Sequence, residues 1–213
     1  MNPLGMNSLW QLGRAQVITA APWWLSGGIA AGNCKGAYRA KGAASKAASY
    51  INLNNPGTNN ITEGNGPATW SADVGWYPVA GAIRWLNTNI VPTADYTLIG
   101  RFDSITPKNY SSLMGVVFSP FFSIGYVNYW SISIGNGKVS TSTATSGIFA
   151  IHNRRLYLNG VAITAQANTN TPTATIRFLP DGFGLPLTMQ AGAVYDSITE
   201  AQMQAVTTAM QAL

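Results

Sequence analysis

Few residues of this chain can carry protons, bind metals or attack a substrate. The acidic ones are Glu63, Asp73, Asp95, Asp103, Asp181, Asp196 and Glu200. A glycosidase needs two carboxylates flanking one bond, and on a strand these would be spaced by a few residues along one face. No such cluster occurs, and Asp196 and Glu200 belong to a helix start. Asp95 and Asp103 bracket one predicted strand, and two carboxylates this far apart are weak evidence for a calcium site built from oxygen ligands. His152 is the only histidine, so a multi-histidine metal site cannot form and a Ser-His-Asp triad has one candidate base. That base falls in a predicted turn, His152-Asn153-Arg154, where Arg154 and Arg155 disfavour the imidazolium a general base must become. There is no G-x-S-x-G. Gly137-Lys138 is followed by Val139, so there is no phosphate-binding loop either. The expectation is a protein without catalytic residues, metal or cofactor.

Binding chemistry is better represented. Phe121-Phe122, Tyr126 and Tyr129-Trp130 form an aromatic run, and aromatic faces stack on the apolar faces of sugars. Tyr126 and Tyr129 keep a polar tip, and Asn128 lies between them, so Tyr126, Asn128 and Tyr129 are the candidate glycan-binding residues. Trp10, Trp23 and Trp24 are concentrated in residues 1–33, a segment without clean periodicity. On an extended chain Trp23 and Trp24 would face opposite ways. The segment therefore reads as an arm ordered by docking its tryptophans, on its own domain or on a neighbour. Trp10, Trp23 and Trp24 are the candidate assembly contacts, and residues 1–33 are expected to be removable without unfolding residues 34–213.

Composition narrows the partners. The 213 residues are 46% hydrophobic but only 9% charged, against about 25% charged in an average soluble domain. Surface polarity must come from Asn, Thr, Ser and Gly. A surface with so little self-repulsion suits packing into a larger assembly. Net charge is +5, yet the basic residues are scattered, without the basic stripe and interleaved aromatics of a nucleic-acid site. No run reaches the roughly 18 apolar residues of a membrane span. Residues 15–31 are interrupted by Pro22 and Gly27-Gly28, and read as part of an unprocessed chain rather than a signal peptide. Cys34 is alone and is expected to be a buried structural thiol.

The elements that must position these residues are mostly strands. Asn159-Gly160 is a strong hairpin signal, because both central residues of a type I′ turn need positive φ. A turn there pairs Leu158 with Val161, Tyr157 with Ala162, Leu156 with Ile163 and Arg155 with Thr164. Leu156, Leu158, Val161 and Ile163 then share a dry face, and Arg155, Tyr157, Ala162 and Thr164 a wetter one. Further strands are expected at Ile83–Leu86, Tyr96–Asp103, Leu113–Ser119, Phe122–Val127, Tyr129–Ile134, Lys138–Thr143, Ile148–Ile151, Ala174–Leu179 and Gln190–Tyr195. The Lys138 strand has almost nothing apolar and belongs at an edge. Thr199, Glu200 and Gln202 make a capping-box start. Met203, Val206, Met210 and Leu213 continue it as one apolar stripe, so the C-terminus is a helix. Short strands at regular spacing argue for a single antiparallel sandwich of about a dozen strands.

The hairpin Leu156-Tyr157-Leu158-Asn159-Gly160, followed by Ala193-Val194-Tyr195-Asp196-Ser197-Ile198-Thr199-Glu200 leading into a helix, resembles the concanavalin A-like, laminin G-like jelly rolls. Upstream, Ala37-Tyr38, Lys41-Gly42-Ala43-Ala44-Ser45, Ala48-Ser49, Asn52-Leu53, Asn55-Pro56-Gly57, Pro67, Trp70 and Gly75-Trp76 resemble, in that order, a subgroup common in tailed bacteriophages. The resemblance covers roughly residues 35–213. It implies an antiparallel jelly-roll β-sandwich and a non-enzymatic virion structural protein, on the capsid surface or the tail, with glycan adhesion. The partners implied are other virion proteins, further copies of the chain and a cell-surface glycan, without nucleic acid or membrane. The place implied is the virion surface, after synthesis in the host cytoplasm. The alternative is a free carbohydrate-binding, lectin-like module.

Overall fold

The computed structural model describes residues 21–78, 84–93, 96–103, 111–116, 121–126, 130–135, 137–142, 144–165, 171–179 and 187–213. Within them two antiparallel sheets face each other, and a C-terminal helix covers the outside of one. The first sheet holds β1 (Cys34–Arg39), β3 (Thr69–Ser71), β4 (Gly75–Tyr77), β6 (Thr97–Asp103), β11 (Gly147–His152), β12 (Arg155–Leu158), β13 (Val161–Ala165) and β15 (Thr188–Tyr195). Its order is β13-β12-β11-β6-β15-β4-β3, with β1 also paired to β15. The second holds β2 (Thr62–Gly64), β5 (Trp85–Asn87), β7 (Ser111–Val116), β8 (Phe121–Tyr126), β9 (Trp130–Gly135), β10 (Gly137–Ser142) and β14 (Arg177–Phe178), in the order β10-β9-β8-β7-β14-β5-β2. The fold is an antiparallel β-sandwich, as the strand pattern predicts, of the jelly-roll class that the resemblance implies. The Lys138 strand is the edge strand β10.

Alternation along the strands builds two cores. Inward residues of both sheets, among them Trp76, Phe102, Phe149, Phe178 and Met114, form the central one. Phe178 stacks on Trp76 at 5.9 Å and meets Tyr38 edge-on at 5.6 Å. Gly100 and Gly192 face each other across β6 and β15. A Cβ on Gly100 would crowd Met114 Sδ, and one on Gly192 would crowd Phe178. The missing side chains thus let the second sheet press into the first.

The second core lies outside the first sheet, beneath α2 (Glu200–Gln211). Thr199 caps this helix with the reciprocal capping box, Gln202 N–H to Thr199 Oγ1 and Thr199 N–H to Gln202 Oε1. Met203, Val206 and Met210 are buried, with Leu213 packed beside them, so the predicted stripe is the docking face. The other α-helix among the described residues, α1 (Lys46–Ser49), is a single turn capped by Ser45.

Four local expectations need correction. Beyond Tyr157–Ala162 the hairpin carries a bulge, so Leu156 faces Thr164 and Arg155 faces Ala165. Leu156, Leu158 and Ile163 of the predicted dry face pack on the central core, but two residues depart from the alternation. Tyr157 is buried because α2 covers its face, while Val161 at the turn is 69% exposed. His152 is not in the turn: it ends β11 and is buried, and Asn153 and Arg154 hold the positive φ values. The strand expected over Ala174–Leu179 shrinks to Arg177–Phe178.

Candidate functional site

Three strand ends meet beside the C-terminal end of α2. Strand β6 ends at Asp103 where β15 begins at Thr188 and β11 begins at Gly147, since both pair antiparallel with β6. A recess of about 240 Å³ opens there, with Arg101, Asp103, Ser146, Asn159, Gln190 and Gln211 among its walls. This lies below the roughly 300–1,000 Å³ of drug-sized ligand sites.

Each wall residue is placed by a local device. Gln190 sits in a bulge between Met189 and Ala191, where the register against β6 shifts. Bulges re-aim side chains next to functional sites. Its carbonyl accepts the N–H groups of Ala40 and Lys41 at 2.9 and 3.0 Å, which fixes the bulge. The residue is 5% exposed. Asn159 occupies the predicted hairpin turn with φ 51°, followed by Gly160 at 83°. Its Oδ1 accepts the Ile148 N–H at 3.0 Å, which leaves its amide N–H groups as donors. A side chain on Gly147 would collide with Leu158 and crowd Asn159 Oδ1. Arg101 lies on the helix side of β6 and donates from Nη1 to the carbonyls of Met210 and Gln211, at 2.8 and 3.2 Å. That gives the helix-end carbonyl of Gln211 a donor and adds a second one to that of Met210, which also accepts the Leu213 N–H at 3.3 Å.

Other polar clusters serve the scaffold. Glu63 accepts from Tyr50 Oη at 2.6 Å and pairs with Lys46 at 2.5 Å. Burial raises the Glu63 carboxyl, but these partners outweigh it and hold it below its ordinary value. Burial first, then the hydrogen bond to Glu63, pushes the Tyr50 hydroxyl up. Asn52 is fully buried. It accepts from the N–H groups of Ala37 and Asn54 and donates to the carbonyls of Lys35 and Thr58, so its amide is used up in bracing a loop. Trp85 offers no open stacking face: its indole crowds Gly64 on one side, and the Arg177 guanidinium lies 4.3 Å from its centroid. Among the described residues no group of three or more His, Cys, Asp or Glu is placed to hold a metal, and no helix is long and apolar enough to cross a membrane.

The residues singled out from sequence fare differently. Tyr126 ends β8, opposite Ser111 and Trp130; its side chain, and Asn128, Tyr129 and Trp10 entirely, lie outside the described residues. Trp23 and Trp24 are half-buried in a 3-10 turn, edge to face at 5.6 Å, packed against the core beneath α2. They take the first of the two dockings the sequence leaves open, on their own domain. The recess itself has no signal in the sequence, because its walls come from five separated segments.

No protein-family model matches the chain, and no curated protein matches it. Solved structures do match in shape. A Trypanosoma rangeli sialidase aligns with TM-score 0.60 and 11% identity over 84% of this chain and 33% of its own. The same sialidase in complex with sialic acid gives 0.58 at 11%, over 84% and 33%. A protein described as a receptor binding domain gives 0.55 at 11%, over 85% of this chain and 52% of its own. The chain thus spans a third to a half of these proteins. At such identity the likeness establishes the β-sandwich fold.

Proposed function

We propose that this chain is a non-enzymatic, lectin-like binding module that presents its sandwich to glycans. The observation that carries the reading is the recess at the end of β6, walled by amides, a hydroxyl and a guanidinium already engaged by the helix end. Convergent hydrogen-bonding side chains of this kind suit a ligand made mostly of hydroxyl groups. Hydrolysis would require a second carboxylate across the bond, and the described lining carries Asp103 alone. That sandwiches of this shape occur in a sialidase and in a receptor binding domain supports the reading by analogy of fold only. The test is a glycan array probed with the purified chain. Selective binding to a family of glycans without release of reducing ends is expected, and an array without any selective signal overturns the reading.

A second reading, a structural protein of a bacteriophage virion carrying this module on capsid or tail, draws on the 9% charged content and the upstream sequence resemblance. It expects further copies of the chain and other virion proteins as partners. Capsid, portal and tail genes beside the coding sequence would support it, and a neighbourhood without them would remove it.

A further inference from the structure

We propose that the recess beside the C-terminal end of α2 takes the carboxylate of an acidic terminal sugar, held on the free edge of the Arg101 guanidinium. This rests on the lectin-like reading and names its site and ligand class. Arg101 is the central observation. It lines the recess, and it donates to the helix end from Nη1 alone, at 2.8 Å to the Met210 carbonyl and 3.2 Å to that of Gln211. Nε and Nη2, which lie along one side of the planar group, donate to no described residue. Two parallel N–H groups on one edge are the fork that grips a carboxylate through both oxygens.

Strand pairing fixes what flanks that edge. On β6, Arg101 stands opposite Ile148 of β11 on one side and Ala191 of β15 on the other. Ile148 is the residue that Asn159 grips, its N–H held by Asn159 Oδ1, so the Asn159 amide N–H groups are further donors in the same wall. Ala191 follows the bulge that sets Gln190 there, and Ser146 adds a hydroxyl at the rim. The two hydrogen bonds to the helix end hold the guanidinium in one orientation before any ligand arrives. That ordering need not be supplied on binding.

Two groups oppose an anion. The C-terminal end of α2 carries partial negative charge, but the same guanidinium is fastened to it, and the effect fades within the last turn. The Asp103 carboxylate is exposed and already engaged within the fold, so its repulsion is screened by solvent. Against these stands a full cation offering charge-assisted hydrogen bonds, roughly twice as strong as neutral ones. A neutral sugar uses the same edge only as an ordinary donor. The volume of about 240 Å³ admits one ring, the terminal residue of a longer glycan. The hydroxyls of that ring fall to the amides of Asn159 and Gln190 and to Ser146.

The experiment competes glycan-array binding by the full-length chain with methyl glucuronide, methyl glucoside, N-acetylneuraminic acid and inorganic phosphate. The first two differ only by a carboxylate in place of a hydroxymethyl group. The array is then repeated with Arg101→Lys, Asn159→Asp and Ser146→Trp, with thermal melting as the control for folding. Lysine keeps the charge and loses the fork. Asn159→Asp retains the acceptor for Ile148 and replaces the donors by a like charge without touching the helix end, and Ser146→Trp fills the recess from an exposed position. Competition by methyl glucuronide or N-acetylneuraminic acid about tenfold or more stronger than by methyl glucoside is expected, with array binding weakened by a similar factor in each variant that melts like the parent. Equal competition by methyl glucoside, or displacement by phosphate as strong as by the acids, overturns the acidic-sugar assignment. Undiminished binding by Arg101→Lys overturns the fork, and binding that survives both Asn159→Asp and Ser146→Trp overturns the site; each of these leaves the lectin-like reading intact. An array empty for the parent chain removes the reading and the site together.

Discussion

Asn159 and Ile148 are tied by two hydrogen bonds: the Asn159 N–H donates to the Ile148 carbonyl at 2.8 Å, and Asn159 Oδ1 accepts the Ile148 N–H at 3.0 Å. The pair clamps the β12–β13 turn onto β11, although residue 159 follows its own strand and not that one. Ile148 is 2% exposed, so water cannot replace the lost acceptor. Asn159→Gly tolerates the positive φ but strands that N–H, and should cost about 1–3 kcal/mol in denaturant unfolding. Asn159→Asp should stay close to the parent. Equal stability of the Gly variant would show that the clamp contributes nothing.

The same residue shows what the sequence could and could not reveal. The turn was legible because Asn-Gly has a conformational reason to be there. The bulge after Tyr157–Ala162 was not, since an extra residue in a strand leaves no compositional mark. Alternation also misjudged Tyr157: period two says which residues share a face, but not that α2 will cover it. The capping box and stripe of α2 were readable because they are local. The recess was hidden because Arg101, Ser146, Asn159 and Gln190 are brought together only by the pairing of β6 with β11 and β15. A bulged glutamine looks like any glutamine until its burial is known.

His152 makes the fold sensitive to acid. It is 1% exposed, with Nδ1 against Thr97 Oγ1 at 2.8 Å and Nε2 against the Asn153 amide nitrogen at 3.0 Å. That amide donates to Nε2, so the neutral ring carries its proton on Nδ1 and donates to Thr97. The edge of Tyr157 also faces the ring, and Glu200 lies near it from α2. Burial lowers the pKa below 6.5, and the Glu200 charge offsets this only in part. The unfolded chain therefore binds a proton before the folded one does, and stability present above about pH 6.5 is lost as pH falls toward the lowered folded value. Melting curves between about pH 7.5 and 5 should show a steeper fall for the parent than for His152→Gln. Parallel slopes would rule out this histidine as the acid-sensitive group.

Cys34 should be chemically silent in the native protein. It is 3% exposed at the start of β1, and its thiol is pushed up to about 12, chiefly by burial. Only the thiolate reacts readily with disulfide reagents. An aromatic disulfide reagent at mildly alkaline pH should give no fast release from the folded chain and one thiol per chain in denaturant. Native labelling at the denatured rate would mean that the amino-terminal edge of β1 opens freely.

Residues 21–33 should prove part of the folding unit, the opposite of a removable arm. Trp23 and Trp24 pack beneath α2, and Ile29 is buried in the same core. The Tyr195 hydroxyl donates to the Trp24 carbonyl at 3.0 Å, the Asp196 N–H to the Asn33 carbonyl at 2.8 Å, and the Asn54 amide to the Ala31 carbonyl at 3.0 Å. Deleting residues 1–33 removes these acceptors and uncovers the apolar face they protect. Each large side chain so buried is worth about 1.5–3 kcal/mol, and an orphaned hydroxyl or N–H costs about 1–3 more. The sum is a large part of the roughly 5–15 kcal/mol that holds a domain together. A chain beginning at residue 34 should therefore melt far below one beginning at residue 21, or fail to fold. If the two melt alike, the docking of Trp23 and Trp24 on their own helix is too weak to matter, and both indoles become available to a neighbour in an assembly. If they differ as expected, Trp23 and Trp24 belong to the sandwich, and any assembly contact from this end must come from the segment that carries Trp10.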